Sequence, residues 1–342
     1  MRAVYLERFG GPDVLTFGDR PAPSPKPGEA LVRVRACGIN HLDLWVRSGL
    51  KGLEPEMPHI LGNEVVGEIA ELGAGITHLT VGAKTLVNPT LSCGHCAACA
   101  NGDDNLCRSY DVLGRKRNGG YAEFVSVPAA NCLPFPENLS WEQAAAVPLV
   151  FLTAWHMLVT RAHVRAGEDV LVIGAGSGVG SAAIQIARLH GARVIATAGT
   201  GAKLERASAL GAQDVINHVT EDVAARARAL TGKKGVDVVV EHVGGPVFEA
   251  AVSALARDGR LVTCGDTIGN RVTLDLDLLF GRHLTLLGSW MGRRSDLNAA
   301  LKHIATGALK PVVDSVMPLA EARRAHERLE ARDAFGKLVL VP

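Results

Sequence analysis

The pattern of hydrophobic and polar residues changes character near residue 140. Before it, short segments rich in β-branched residues, such as 30–39 and 64–73, are separated by glycine and proline. This pattern predicts strands joined by turns. The segment 141–159 is almost continuously apolar and follows Ser140, a favourable residue at a helix N-terminus, so it predicts a helix. A cysteine-rich segment at 93–107 interrupts the β-rich part once.

Beyond residue 165, predicted strands alternate with predicted helices. This alternation is typical of a parallel, doubly wound α/β sheet. We therefore predict a domain boundary near residue 150, with the chain from about 291 onward returning to the first domain. The predicted strands are 169–176, 192–199, 237–243 and 259–265, and the predicted helices between them are 178–191, 201–211 and 246–256.

Length and composition narrow the class of protein. A chain of 342 residues is long enough for two domains. Charged residues make up 21% and the net charge is only +1, which excludes the strongly basic surface of a typical nucleic-acid binder. The first residues, MRAVYLERFGG, are unlike a signal peptide, and no apolar run reaches the roughly 20 residues of a membrane span. We expect a cytoplasmic protein with no nucleic-acid or membrane partner.

Four cysteines, Cys93, Cys96, Cys99 and Cys107, form the segment CGHCAACANGDDNLC. Their bunching is too tight for a disulfide framework and favours a metal. The alternative is an iron–sulfur centre, but the cysteine run of bacterial ferredoxins has a shorter last spacing and a proline after the fourth cysteine. Four thiolates that leave no open coordination position indicate one structural Zn²⁺ per chain.

A glycine-rich turn, GAGSGVG at 174–180, follows a predicted strand and opens a predicted helix. In that context, backbone N–H groups at a helix N-terminus bind the pyrophosphate of a dinucleotide. The spacing departs from strict G-x-G-x-x-G because Val179 occupies the last position, but the further βα units around the turn support a cofactor site. The candidate cofactor-binding residues in this turn are Gly176, Ser177, Gly178 and Val179.

The end of the next predicted strand bears on the choice of nucleotide. NAD sites usually place a carboxylate there to bind the ribose hydroxyls, whereas this chain has Ala198. Gly199 and Thr200 can donate hydrogen bonds, and Lys203 supplies positive charge, although a solvated helix lysine is a common alternative. The missing acid favours NADPH over NADH.

Motifs spread along the whole chain resemble one known superfamily. They are GGPDVL, ACGINHLD, GNEVVGEI, the four-cysteine segment, GGYAEF, LTAWHML, GAGSGVG and FGKLVLVP. Together they resemble the medium-chain dehydrogenase/reductase superfamily, which includes zinc alcohol dehydrogenases and quinone oxidoreductases. The resemblance implies a Rossmann dinucleotide-binding domain at 151–290 and a mostly β, GroES-like catalytic domain. The second domain comprises 1–150 and 291–342 with the zinc lobe at 93–107, and the resemblance also implies a homodimer or a homotetramer.

The resemblance also shows what the catalytic site lacks. Alcohol dehydrogenases of this superfamily bind a second, catalytic zinc through three ligands, and the matching positions here are Asn40, Asn63 and Leu149. The hydroxyl of their proton relay is replaced by Leu42. Carboxamides and a leucine are poor ligands for Zn²⁺, so we expect no catalytic zinc.

The tract GINHLDLWVRSGL is similar to the quinone oxidoreductase branch, which is metal-free and prefers NADPH. This similarity implies that Asn40 lies beside nicotinamide and substrate, and we expect Asn63 to line the same metal-free pocket. We expect the proton at the α-carbon to come from solvent or from a nearby acid such as His41. The similarity places nicotinamide between Asn40, Thr153 and the backbone of Cys264 and Gly265. The residues that this branch directs toward the 2′-phosphate are Lys203, His218 and Arg332.

We therefore expect an NADPH-dependent reductase of activated C=C bonds, acting on a small enone or quinone or on an enoyl-CoA thioester. Hydride addition to such a bond spreads negative charge into an enolate, which a few hydrogen bonds can stabilise without a metal. One alternative is an alcohol or aldehyde dehydrogenase that recruits metal through Asp43, Glu64 and either His41 or His59. Another is a non-catalytic NADPH-binding protein.

Overall fold

The computed structural model describes residues 1–342, which divide into two compact units. The first unit comprises Met1–Leu149 and Pro311–Pro342, and the second comprises Val150–Lys310. The sequence placed the end of the second domain at residue 290, so the structure extends that unit. The extension has a clear cause: Asp296 accepts hydrogen bonds from His156 (2.6 Å) and Thr160 (2.6 Å), which fixes the helix Arg294–Ala305 that contains it to the second unit.

Eighteen strands build the sheets of the two units. In chain order they are β1 Arg2–Leu6, β2 Thr16–Asp19, β3 Glu29–Gly38, β4 His59–Ile60, β5 Glu64–Leu72, β6 Lys84–Val87, β7 Thr90–Leu91, β8 Asp111–Val112, β9 Phe124–Pro128, β10 Cys132–Pro134, β11 Asp169–Val172, β12 Arg193–Ala198, β13 Asp214–Asn217, β14 Val236–Glu241, β15 Leu255–Thr263, β16 Thr285–Gly288, β17 Val313–Pro318 and β18 Lys337–Val341.

Eleven α-helices connect or flank these strands. They are α1 His41–Ser48, α2 Ala97–Ala100, α3 Trp141–Ala144, α4 Pro148–Trp155, α5 Gly178–Leu189, α6 Gly201–Leu210, α7 Val223–Leu230, α8 Gly245–Ala254, α9 Leu276–Gly281, α10 Arg294–Ala305 and α11 Ala322–Glu330. Short 3-10 turns lie at Pro12–Val14, Asp104–Leu106, Ala129–Asn131 and Leu319–Glu321, and a π-helical turn spans His156–Arg161.

The first unit is mostly β, as predicted. Its main sheet has the order β10-β6-β5-β3-β18-β17, and β9 also pairs with β3. Two features of register position the candidate site: Gly38 at the end of β3 lies opposite Glu64 at the start of β5, and β18 pairs with β3 through Val339 and Gly38. The first residue of β18, Lys337, therefore comes close to the end of β3.

The second unit contains a six-stranded, fully parallel sheet with the order β13-β12-β11-β14-β15-β16. This confirms the predicted doubly wound α/β architecture. The strand order reverses between β11 and β14, and ligands of such folds bind outside the carboxyl ends of the strands at this reversal. The glycine-rich turn at 174–180 follows β11 and so lies at this point.

The apolar segment after Ser140 is helical, with Gln143 N donating to Ser140 Oγ at 3.3 Å. The helical stretch Trp141–Arg161, 21 residues long, is apolar and long enough to cross a membrane by length and composition alone. Its most apolar window is 83% buried within the protein. That burial is typical of the core helix of a globular protein.

A buried polar cluster anchors α1, whose first turn carries candidate site residues. Arg47 Nη1 donates to His326 Nδ1 (3.1 Å) on α11, and Arg47 Nε donates to Gly10 O (3.1 Å). Because a guanidinium can only donate, His326 Nδ1 must accept, which leaves Nε2–H to donate to Tyr121 Oη (3.0 Å). Burial lowers the pKa of His326 to about 3, so its ring is neutral near pH 7. The cluster fixes α1 against α11.

Candidate active site and metal centre

The candidate catalytic residues lie where β3 meets α1 and where β5 begins. Asn40 precedes α1, and its backbone N–H donates to Asp43 Oδ2 (2.8 Å) in the first turn of that helix. Gly62 has φ +100°, and a Cβ there would lie 2.5 Å from the Tyr121 ring. Only glycine therefore allows the Gly62 N–H to reach Asp43 Oδ1 (3.0 Å), which places Asn63 beside Asn40.

A buried lysine, which the sequence analysis missed, fixes the orientation of Asn40. Lys337 is 3% exposed, and its Nζ donates to Asn40 Oδ1 (2.5 Å) and to the Ile39 carbonyl. It also forms an ion pair with Glu64 Oε2 (2.8 Å). An ammonium group has donors only, so the side-chain atom of Asn40 that faces it must be the oxygen.

The orientation of Asn40 determines the rest of the network. Its Nδ2 donates to Asn63 Oδ1 (2.7 Å) and to Glu64 Oε2 (3.0 Å), which uses both of its hydrogens. Asn63 Nδ2 then donates to Asp43 Oδ1 (3.1 Å). The second hydrogen of Asn63 Nδ2 has no acceptor in the structure. Asn63, rather than Asn40, is therefore the carboxamide that keeps an Nδ2 hydrogen without an acceptor.

The two carboxylates of the network are buried and hydrogen-bonded. Glu64 is fully buried, and its Oε1 accepts from Leu149 N (2.7 Å). Asp43 is 1% exposed, and burial raises its pKa to about 6 even though the backbone N–H groups of Asn40 and Gly62 oppose the rise. Both oxygens of each carboxylate thus have partners within the network.

The network does not fit a catalytic zinc. Of the three positions that would supply its ligands, Asn40 offers an oxygen that already faces an ammonium, and Asn63 an oxygen that already accepts from Asn40. Leu149 offers no ligand atom. His59, a candidate for the alternative metal site, is buried with Nε2 2.9 Å from Gly114 O, and burial lowers its pKa. The other candidate, His41, lies in the first turn of α1 with its ring centroid 6.4 Å from that of Trp45.

The four predicted zinc ligands come together in a lobe of the first unit. The sulfur atoms of Cys93, Cys96, Cys99 and Cys107 all lie within 4.8 Å of one another, and no other group of three or more metal-ligating side chains is this close. The Cys93–Cys99 and Cys96–Cys99 sulfur separations are 3.9 and 3.6 Å. Sulfurs bound tetrahedrally to zinc lie about 3.8 Å apart, given Zn–S bonds of about 2.3 Å. The lobe therefore fits one zinc ion with no open position.

The glycine-rich turn has the geometry of a phosphate-binding site. Ser177 is the N-cap of α5, and its Oγ accepts from Gly180 N (2.8 Å). Gly174 has φ +68°, which favours glycine. Gly176, Ser177, Gly178 and Val179 are all half-buried, so the N-terminus of α5 stays accessible. These residues fit the diphosphate of a dinucleotide.

The predicted 2′-phosphate residues of the second unit lie at the carboxyl ends of β12 and β13. β12 ends at Ala198, and Thr200 Oγ1 caps α6 by accepting from Lys203 N (3.4 Å). A Cβ on Gly199 would lie 3.1 Å from His218 Nε2, so these two residues are in contact. Arg332 belongs to the first unit, and its contact with the phosphate stays a prediction.

The predicted nicotinamide residues of the second unit include an unsatisfied hydroxyl. Thr153 on α4 is 4% exposed, and its Oγ1 has no hydrogen-bond partner in the structure. Cys264 and Gly265 follow β15, and burial raises the pKa of the Cys264 thiol to about 12, so it stays neutral. A buried hydroxyl without a partner is costly unless a ligand supplies one, as a nicotinamide carboxamide can. Thr153 therefore fits a cofactor contact.

We predict that the lobe binds one zinc ion per chain. A Cys96→Ser/Cys99→Ser variant should lose it because two of four thiolates are removed, whereas Cys264→Ser, outside the lobe, should keep it. Elemental analysis of the purified proteins measures this directly. Two zinc ions per unmodified chain, or full zinc content in the double variant, would contradict the assignment.

We predict that Lys337→Met destabilises the fold by about 3–5 kcal/mol, because it leaves Glu64 buried without its cation. The double variant Lys337→Met/Glu64→Gln should lose less than the sum of the two single variants, since the uncompensated charge is gone. Lys84→Met, which removes the exposed ion pair with Glu137, should cost at most about 1 kcal/mol. Urea unfolding measures all four. Additive losses in the double variant would show that the pair is not coupled.

Comparison with known proteins identifies the family. Residues 26–137 match the alcohol dehydrogenase GroES-like domain family, and residues 178–306 match the zinc-binding dehydrogenase family. A quinone oxidoreductase of Pongo abelii is 32% identical, with 100% of this chain and 98% of that protein covered.

Two solved structures are also similar over the full chain. One described as an NAD-dependent alcohol dehydrogenase is 48% identical with a TM-score of 0.97, covering 100% of both chains. The crotonyl-CoA carboxylase/reductase AntE in complex with NADP is 25% identical with a TM-score of 0.93, covering 100% of this chain and 94% of that one. The chain is an oxidoreductase of the medium-chain dehydrogenase/reductase superfamily.

Proposed function

We propose that the protein is an NADPH-dependent reductase of activated C=C bonds that works without a catalytic metal. The observation that carries this proposal is the hydrogen-bonded network at the catalytic-zinc positions, where the oxygens of Asn40 and Asn63 already have donors. Relatives named quinone oxidoreductase and crotonyl-CoA carboxylase/reductase support it. We propose an enone, a quinone or an enoyl-CoA thioester as the substrate.

The chemistry of such substrates suits this site. Bound NADPH supplies a hydride. Reduction of an isolated ketone places negative charge on one oxygen, which usually requires a Lewis acid or a strong proton donor. A conjugated C=C bond accepts the hydride at its β-carbon and spreads the charge into an enolate. Hydrogen bonds from the protein are then sufficient.

Asn63 is the proposed donor to that enolate, through the Nδ2 hydrogen that has no acceptor within the network. We propose Asn63 rather than Asn40 for this role because both hydrogens of Asn40 Nδ2 are already used. The role of Asn40 is to hold the Asn63 carboxamide in orientation, and Lys337 holds Asn40 in turn. His41, half-buried in the first turn of α1, is the proposed source of the proton at the α-carbon.

NADPH is the proposed nucleotide because the end of β12 offers no carboxylate to a ribose. Ala198 occupies that position, and residues 199–204 contain no acid. Gly199, Thr200 and Lys203 are proposed to contact the 2′-phosphate, together with His218, which contacts Gly199. Arg332 is a further proposed contact. One charge-assisted hydrogen bond to the phosphate is worth about 1.5–3 kcal/mol.

An alcohol dehydrogenase is the second candidate, since the structure that is 48% identical carries that name and NAD dependence. The candidate metal ligands argue against this second function, because their atoms already have partners. Asp43 and Glu64 use both carboxylate oxygens inside the network, and His59 Nε2 contacts Gly114 O. No three of these side chains bring ligand atoms together.

The cellular setting and assembly are also proposals. A cytoplasmic location is consistent with the composition, and a homodimer is supported by the second unit. Its edge strand β16 is unpaired on one side, and the apolar side chains of Leu276 and Phe280 on α9 are 63% and 66% exposed. Such exposed apolar groups on a folded domain commonly mark contacts with another chain.

We predict that the purified protein oxidises NADPH with crotonyl-CoA, an enone or a quinone, and leaves saturated ketones and alcohols unchanged. NADH should be the poorer donor, and a chelator should not affect the rate while the lobe keeps its zinc. Asn63→Ala should lower kcat about 100- to 1,000-fold by removing the enolate donor. Asn101→Ala, on an exposed turn of the lobe, is the matched control and should leave kcat unchanged.

Two outcomes of the same assay would contradict the proposal. Alcohol oxidation that dominates, and that a chelator abolishes without unfolding the protein, would establish the alcohol dehydrogenase. Tight NADPH binding with no turnover of any substrate class would favour a non-catalytic binding protein.

A further inference from the structure

His242 lies at the reversal of strand order in the second unit, directly after β14. Its Nε2 is 3.1 Å from Ser177 Oγ, the N-cap of α5, and a Cβ on Gly174 would lie 3.1 Å from its Cε1. The imidazole therefore packs against the first residue and the middle of the turn 174–180 that fits the diphosphate. It is only half-buried, so a ligand bound at the turn can reach it.

The hydrogen bonds around His242 define its state without a ligand. Ser177 Oγ already accepts from Gly180 N (2.8 Å), so its hydrogen is available to donate to His242 Nε2. The backbone of Ile173 and Gly174 near the ring opposes the lowering of the His242 pKa. Burial lowers the pKa of His242 below its usual 6.5. The ring is thus neutral at pH 7, with Nε2 as the acceptor.

Among the groups packed around the His242 ring, only the histidine itself can become a cation. Glu241 is the neighbouring carboxylate and opposes the lowering of the pKa, but its own oxygens are used by Val243 N (2.5 Å), Gly244 N (2.7 Å) and Thr263 Oγ1 (2.7 Å). From the β15 side, Gly265 packs against the His242 backbone and Cys264 is a neutral thiol. The glycine-rich turn 174–180 contributes no charged residue.

We infer that His242 is a binding residue for the diphosphate of the dinucleotide, and that the dinucleotide is bound together with a proton taken up by this ring. This inference rests on the proposed dinucleotide-dependent function. A diphosphate carries negative charge, and an opposite charge within a few ångströms favours the protonated imidazole. Protonated Nε2 donates its single hydrogen to a phosphate oxygen, and the Ser177 hydroxyl, which no longer donates to His242, can donate to the phosphate as well.

The sign of the pH dependence follows from the two pKa values. Binding raises the pKa of His242 from its lowered value in the free protein. At pH values above the pKa of His242 in the complex, this histidine makes no contribution to the pH dependence of dinucleotide affinity. Between the two pKa values affinity rises as the pH falls, by up to about tenfold per pH unit, because one proton is taken up with each dinucleotide.

The test is isothermal titration calorimetry of the full-length protein with NADP⁺ and with NAD⁺, from pH 5.5 to 8.5. Two buffers of different ionisation enthalpy report the number of protons taken up. NAD⁺ lacks the 2′-phosphate, so it removes the titration of that group. We expect both nucleotides to bind more tightly as the pH falls, with uptake of a substantial fraction of one proton near pH 6.5.

Two variants assign the proton. His242→Gln keeps a side-chain hydrogen-bond partner for Ser177 but cannot be charged, so the uptake should vanish with NAD⁺. His78→Gln, which changes an exposed histidine of the first unit, should keep the proton uptake. Unchanged uptake in His242→Gln, or no uptake by the unmodified protein, would overturn the inference while leaving the proposed function intact. The absence of proton uptake by the unmodified protein is a test that does not depend on whether any variant folds. Failure to bind either dinucleotide at any pH would refute both.

Discussion

The donor-only chemistry of one buried ammonium group organises the candidate catalytic site. Lys337 can only donate, so Asn40 must present its oxygen, and this choice directs Asn40 Nδ2 toward Asn63 and Glu64. Asn63 in turn directs its own Nδ2 toward Asp43. The orientation of four side chains, those of Asn40, Asn63, Glu64 and Asp43, thus depends on Lys337. The pairing of β18 with β3 places Lys337 in the site.

The hydrogen-bonded network around Lys337 distinguishes the two zinc sites of this family, the structural lobe and the catalytic site. The zinc lobe is built from a local sequence segment, with four sulfurs that fit a closed tetrahedral site. The catalytic-zinc positions instead hold a leucine and two neutral carboxamides whose oxygens accept hydrogen bonds from within the protein. A site with this arrangement can stabilise charge that is already delocalised, but it offers no Lewis acid. The proposed preference for conjugated C=C bonds follows from that difference.

The sequence was sufficient for the features that depend on local pattern. Alternating strands and helices predicted the parallel sheet, and cysteine spacing selected the ligands of the lobe. Lys337 and His242 were missed because their roles depend on long-range pairing: one needs the register of β18 against β3, and the other the adjacency of β11 and β14. The proposed division of roles between Asn40 and Asn63 could not be predicted from the sequence for a related reason, since a free donor can be recognised only once every partner is known.

The most direct test of metal-free C=C reduction follows deuterium from NADPH labelled at both C4 positions into the product, with crotonyl-CoA or an enone as the substrate and NMR as the readout. Hydride addition to a conjugated bond predicts deuterium at the β-carbon of the saturated product, with the carbonyl carbon unlabelled. Deuterium on the carbon that carried the carbonyl oxygen, in an unsaturated alcohol product, would show carbonyl reduction and contradict the proposed chemistry.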